Sequence, residues 1–88
     1  MQIEFDPVKD LANLAKHGVS LIAINAFEWN DCITWQDNRM IYTERRECAI
    51  GYIGNRLYFV AFTDKPSARR IISLRKANKR EEAFYAST

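Results

Sequence analysis

The sequence predicts an α+β domain of two layers, a helical hairpin and a C-terminal helix packed on a small antiparallel β-sheet. Three observations predict it. Residues 6–27 carry two capped helical patterns, residues 47–76 carry three strand-like runs separated by turn formers, and Asn78 to Tyr85 reads as a closing helix. With 88 residues the chain makes a single domain, 1–88, with room for one modest core and no linker, repeat or low-complexity tract. The expected arrangement lays the helices on one sheet face and leaves the other for a ligand.

Taken in order, Ile3-Glu4-Phe5 is a short extended start suited to an edge strand. Asp6-Pro7 then opens a helix, since Asp6 caps free backbone N–H groups and Pro7 suits the first helical position. Val8, Leu11, Ala12 and Ala15 follow the i, i+3, i+4, i+7 pattern, which predicts a buried stripe with Leu14 on its flank. Lys16 and His17 in the last turn suit the helix dipole, and Gly18 supplies a left-handed stop. Ser20 caps a second helix expected from about Leu21 to Phe27, with Leu21, Ile24 and Phe27 inward.

From Glu28 to Asn38 the turn formers Asn30-Asp31 and Asp37-Asn38 predict a loop with one short strand at most, and residues 41–46 a turn or a short helical piece. Glu47 to Ile53 reads as a strand, Gly54-Asn55 as a type II′ hairpin turn, and Arg56 to Phe62 as a central strand covered on both faces. After the Asp64-Lys65-Pro66-Ser67 turn comes Arg69-Arg70-Ile71-Ile72-Ser73-Leu74-Arg75-Lys76, a β-branched strand with cations at both ends. Asn78 with Glu81 three residues on matches a capping box, and Phe84 and Tyr85 give the last helix an apolar patch.

Charge is distributed unevenly. Residues 1–44 hold three Lys or Arg against seven Asp or Glu, net −4, while residues 45–88 hold ten against four, net +6. Such asymmetry points to an anionic partner for the second half, and arginine's fixed fork of donors suits phosphate. The competing reading is that the acidic half covers the basic half within the molecule. On a regular strand Arg70 and Arg75 fall on opposite faces, so a bulge, or a position of Arg75 beyond the strand, is required for both to meet one phosphate.

Several chemistries are disfavoured. One histidine and two separated cysteines, Cys32 and Cys48, make neither a metal site nor a disulfide framework, and both cysteines read as small buried hydrophobes. There is no glycine-rich phosphate loop, nucleophile elbow or dinucleotide fingerprint, so no cofactor is expected. With no membrane span or signal peptide in the sequence, the cytoplasm is the default compartment. The remaining polar set is Lys16, His17, Glu44, Arg46, Arg70, Arg75, Glu81 and Tyr85, poor in histidine and rich in arginine. RNA cleavage through the 2′-hydroxyl needs proton removal, charge relief at phosphorus and protonation of the leaving oxygen, and arginines supply the second. The same arginines equally serve a module that binds RNA or the ribosome and cuts nothing.

Four groups of residues carry a family likeness: Phe5-Asp6-Pro7 with Lys9; Asn13 with Lys16-His17-Gly18-Val19-Ser20; Glu44-Arg45-Arg46; and Arg70 to Ala77 with Arg80, Glu81 and Tyr85. Together they resemble the BrnT toxins of type II toxin–antitoxin systems over essentially the whole chain. The resemblance implies a fold similar to RelE-type ribonucleases, and RNA cleavage that halts translation, which with no metal or cofactor site in the sequence is expected to be metal-independent. It also implies a neutralising BrnA antitoxin whose ribbon-helix-helix part binds operator DNA for the complex. Carried onto this sequence, it makes Arg70 and Arg75 the groups that relieve phosphate charge, and Glu44, Glu81 or Tyr85 the proton carriers. Beside them, Lys16, His17, Arg46, Lys76, Lys79 and Arg80 are expected to bind RNA.

Overall fold

In the computed structural model, which describes residues 1–88, Asp6 begins the first helix as the sequence predicts. Its carboxylate accepts from the Val8 N–H at 2.9 Å, and helix α1 (Pro7–His17) ends at Gly18, whose φ of 71° is the left-handed stop. The next segment, Leu21–Ala26, is a 3-10 helix rather than an α-helix. Leu21, Ile24 and Phe27 are buried as expected, and their spacing of three is the period of a 3-10 turn.

The orientation of α1 overturns the expected stripe. Val8, Leu11 and Leu14 are exposed, and Asn13 is the buried residue of the helix. Asn13 Nδ2 donates to the carbonyls of Val19 (2.8 Å) and Leu74 (2.7 Å), while its Oδ1 accepts from the Leu74 N–H (3.1 Å). One helical turn away, the Asp10 carboxylate accepts from the Ser20 hydroxyl (2.8 Å) and the Leu21 N–H (2.7 Å). A buried backbone group left unpaired costs about 1–3 kcal/mol. These bonds fix the rotation of α1, so its polar side turns inward and the three aliphatic side chains face out.

The sheet has five strands in the order β1-β5-β4-β3-β2: β1 Ile3–Glu4, β2 Ile33–Gln36, β3 Glu47–Ile53, β4 Arg56–Asp64 and β5 Arg69–Lys76. β1 runs parallel to β5, with Ile3 opposite Arg69, so the sheet is mixed rather than purely antiparallel. β2, within the stretch read mainly as loop, adds a fourth strand to the expected three-stranded meander. The β3–β4 hairpin turns at Gly54 with φ 63° and no positive φ at Asn55, as a type II′ turn requires. Residues 37–46 cross as an irregular loop with no helical piece. Helix α2 (Lys79–Ala86) starts at a complete capping box of Asn78 and Glu81.

Two apolar clusters sandwich the sheet. On the first face Leu21, Ile24, Phe27, Val60, Phe62, Ile71 and Leu74 form the core beneath the 3-10 helix and α1. On the second, Cys48, Ile50, Leu57, Phe59 and Ala61 are joined by Trp35, Tyr52 and Tyr85. The α+β class holds, but the helices do not share one face. The Tyr85 ring of α2 meets Tyr52 edge-on at 5.6 Å and Phe84 meets Trp35 at 5.7 Å, which covers one end of the second face. The near-continuous apolar runs of β3 and β4 demand cover on both sides.

A register shift in the β4–β5 ladder governs what the uncovered end displays. Ala61 faces Ser73 and Phe62 faces Ile71, so Ile72 has no partner and bulges. Arg70 lies opposite Thr63 and Arg75 opposite Phe59, and residues 59, 61 and 63 of β4 share a face. The bulge thus places Arg70 and Arg75 on the same, second face.

Candidate nucleic-acid interface

Arg70 and Arg75 stand opposite Thr63 and Phe59, four positions apart on β4 or roughly 13 Å at 3.3 Å per residue, and they line separate hollows, so the two do not grip a single phosphate group between them. Each opens on its own hollow. The first, of about 410 Å³, brings together Lys9, Arg46, Lys65 and Arg70 with Asp6, Glu44, Asp64 and Thr63. The second, of about 400 Å³, holds Arg75 and Glu81 with Trp35, Asp37, Arg39, Cys48 and Phe59.

Each arginine of β5 already has a carboxylate. Arg70 Nε donates to Glu4 at 3.0 Å, and the same Glu4 oxygen accepts from Lys65 Nζ at 3.0 Å. Arg69 pairs with Asp64 across the ladder, at 2.6 and 3.0 Å, and stacks on Phe62. Arg75 makes a two-pronged pair with Glu81, at 2.8 and 2.9 Å, over the face of Phe59. Glu81 has a second duty, accepting from the Asn78 N–H at the start of α2. Burial works against its ionised form, but the Arg75 guanidinium and the Asn78 N–H prevail and keep its pKa below the ordinary value.

Glu44 is differently placed. Its carboxylate accepts from Thr43 Oγ1 at 2.7 Å and from Arg46 Nη2 at 3.4 Å, and these contacts, the hydroxyl first, hold its pKa below normal. Arg46 stacks over the Tyr42 ring at 4.0 Å, and its buried Nε–H has no hydrogen-bond partner. Asp37 organises the loop that carries both residues. It is buried and accepts from Arg39 Nε and Nη2 (both 2.9 Å) and from the Tyr42 hydroxyl (3.0 Å), contacts that drive its pKa well below the carboxylate range.

The remaining predicted residues lie elsewhere. The Tyr85 hydroxyl donates to the Asp31 carbonyl at 3.0 Å, outside both hollows. His17, half-buried at the end of α1, is held below the ordinary imidazole pKa by burial and by the positive charges of Lys16 and Arg75. Lys16, Lys76, Lys79 and Arg80 are exposed and form no ion pair, so they leave free positive charge at the ends of α1 and β5 and the start of α2. Burial raises both free cysteine thiols, Cys48 to about 11. No helix is long and apolar enough to cross a membrane.

Sequence reasoning missed Lys9, Lys65 and Asp37 as parts of this surface. Asp37 gave a sign as a turn former before a run of charges and Lys9 as part of the family likeness, whereas Lys65 reaches the first hollow through tertiary packing.

A sequence model of the BrnT family, described as the ribonuclease toxin of type II toxin–antitoxin systems, matches residues 5–81. The chain belongs to that family. Membership carries with it RNA as the substrate class and an antitoxin as partner. The BrnT match takes in α1, both hollows and the Arg75–Glu81 pair, and it stops before Tyr85. Compared one by one, curated proteins give no match to the chain.

Proposed function

We propose that the chain is a metal-independent endoribonuclease whose reaction occurs in the first hollow, at the open end of the second sheet face. The observation that carries this reading is the convergence of Lys9, Arg46, Lys65 and Arg70 on a space that also contains Glu44. Of the acids lining it, Asp6 caps α1 and Asp64 holds Arg69, which leaves Glu44 the carboxylate least committed to the fold.

In this reading Glu44 takes the proton of the 2′-hydroxyl as the oxygen attacks the adjacent phosphorus. Glu44 is ionised at neutral pH, and an approaching polyanion raises its proton affinity, because like charge favours the neutral form. Arg70 and Arg46, both lining the hollow, stabilise charge on the phosphorane oxygens. As the bond from phosphorus to the 5′-oxygen breaks, that oxygen takes a proton from Lys9, the lining cation without a carboxylate partner. The products are a 2′,3′-cyclic phosphate and a 5′-hydroxyl. Arg75 binds a phosphate farther along the strand, and Lys16, His17, Lys76, Lys79 and Arg80 extend the contact. Glu81 then positions Arg75, and Tyr85 anchors α2, rather than either moving a proton.

Cleavage of messenger RNA in the cytoplasm, on the ribosome or free, would halt translation. A BrnA-type antitoxin with a ribbon-helix-helix part would neutralise the toxin and bring the pair to operator DNA. Membership in a family of ribonuclease toxins of type II toxin–antitoxin systems supports RNA cleavage and an antitoxin partner. A second reading, RNA binding without cleavage, is favoured by the carboxylates that already occupy Arg69, Arg70 and Arg75.

Purified chain incubated with defined RNAs in EDTA decides between them. Cyclic-phosphate ends are expected, abolished by a single 2′-deoxy substitution at the cut site. Glu44→Gln is expected to slow cleavage about 100-fold while RNA affinity stays within about threefold. RNA that binds and is never cut would overturn the catalytic reading.

A further inference from the structure

Helix α1 wears its polarity inside out. At 100° per residue, Asp10, Asn13 and His17 fall together on the side that faces the sheet and the 3-10 helix. The opposite arc carries Leu14, Leu11, Ala15, Val8 and Ala12 in turn, bordered by Lys16 and Lys9. Val8 is 73% exposed, Leu11 69%, Leu14 47%, and Ile22 on the adjoining 3-10 helix 59%. A lone exposed leucine needs no explanation; a continuous apolar face on one helix does.

Nothing lets this helix roll over to bury that face. The Asn13 amide is locked to both backbone groups of Leu74, and Asp10 holds Ser20 and Leu21. The face is therefore built to be covered by something outside the chain.

Charge selects the occupant. The arc contains no acid, since Asp6 and Asp10 are spent on backbone N–H groups, while Lys9 and Lys16 on its border have no ion-pair partner. A second copy docking helix to helix would bring lysines against lysines across the two-fold axis. We infer that the outward face of α1, with Ile22, docks an amphipathic segment of the antitoxin whose apolar residues cover Val8, Leu11 and Leu14 and whose acidic edge meets Lys9 and Lys16. This rests on the family assignment for the existence of the antitoxin, and on the structure for where and how it binds. Lys9 also lines the hollow around Glu44, so an acidic edge drawn to it would take up charge that RNA needs. One contact thereby both anchors the partner and screens the RNA site.

The test uses the full chain and its cognate antitoxin. Binding is measured by calorimetry, and RNA cleavage is measured on the free chain. Leu11→Lys is expected to weaken antitoxin binding at least about 30-fold while leaving cleavage by the free chain unchanged. Ala12, beside the lysine border, reads the charge: Ala12→Glu weakens binding about tenfold or more, and Ala12→Lys leaves it equal or tighter. Circular dichroism of each variant confirms the fold. Wild-type affinity in Leu11→Lys, or equal losses in both Ala12 variants, would overturn the docking surface while leaving the ribonuclease reading intact. Sedimentation showing a stable dimer of the free chain that Leu11→Lys dissociates would assign the face to a second copy instead. Loss of RNA cleavage in the wild-type chain bears only on the ribonuclease reading.

Discussion

Replacing Asn13 by alanine removes the one side chain that both ties α1 to the sheet and fixes the outer edge of β5. Three hydrogen bonds go: those to the Leu74 N–H, the Leu74 carbonyl and the Val19 carbonyl, two of them fully buried. At about 1 kcal/mol each they amount to roughly 3 kcal/mol, and stranding the Leu74 groups without water adds to that. Alanine recovers about 0.5 kcal/mol through its better helix propensity. The net expectation is a loss of about 3 kcal/mol, which for a domain this size lowers Tm by roughly 12–24 °C. Urea unfolding followed by tryptophan fluorescence measures it directly, and an unchanged m-value would place the loss in the native state. Asn13→Asp should be at least as damaging, since it keeps an acceptor for the Leu74 N–H but sets a negative charge against the Leu74 carbonyl. A loss under about 1 kcal/mol for Asn13→Ala would refute the claim that these bonds, rather than its apolar arc, orient the helix.

Three other outcomes are expected. Gly51→Ala should destabilise the fold by about 2 kcal/mol in thermal unfolding, because its new methyl would sit 2.7 Å from the Phe27 ring and 2.8 Å from Cys32 Cβ. Arg75→Ala should lower RNA cleavage about 10–100-fold, whereas Glu81→Gln, which retains a hydrogen-bonding partner for Arg75, should lower it no more than about fivefold; single-turnover kinetics compare the two. His17 has a depressed imidazole pKa in the folded chain, so the unfolded chain binds that proton more tightly, and stability should fall as pH drops through the ordinary imidazole range. Denaturation at pH 8 and pH 5.5 in wild type and His17→Gln checks this, and a steeper acid loss in the variant would reverse the sign.

Elements set by local chemistry were legible in the sequence. The Asp6 cap, the Gly18 stop, the Gly54 turn and the Asn78–Glu81 box all rest on residues within a few positions of one another, and each forms as read. The 3-10 helix was legible in its inward residues but not in its type, since Leu21, Ile24 and Phe27 satisfy either period over two turns. What escaped depended on distant partners. The inward face of α1 was misassigned because hydrophobic periodicity gives no weight to an asparagine that meets a backbone edge 61 residues away. The Ile72 bulge left no mark in an alternating run of β-branched residues, although it decides whether Arg70 and Arg75 share a face. The site was half legible: Glu44, Arg46 and Arg70 do converge, while Arg75 and Glu81 lie in a separate hollow and Tyr85 in neither.

The ion pairs along β5 bear on how such a surface meets RNA. A guanidinium held in place by a carboxylate is already oriented, so binding need not order it, and RNA phosphate has only to displace or share the acid. Exposed pairs are weak, about 0–1 kcal/mol, so the exchange at Arg70 and Glu4 costs little. The Arg75–Glu81 pair is more enclosed and also fixes the first turn of α2, which makes exchange there harder. The two arginines should therefore differ in what salt does to them. The contribution of Arg70 to RNA affinity should fade as counterions compete, whereas that of Arg75, whose guanidinium keeps its orientation on Glu81 and Phe59, should persist.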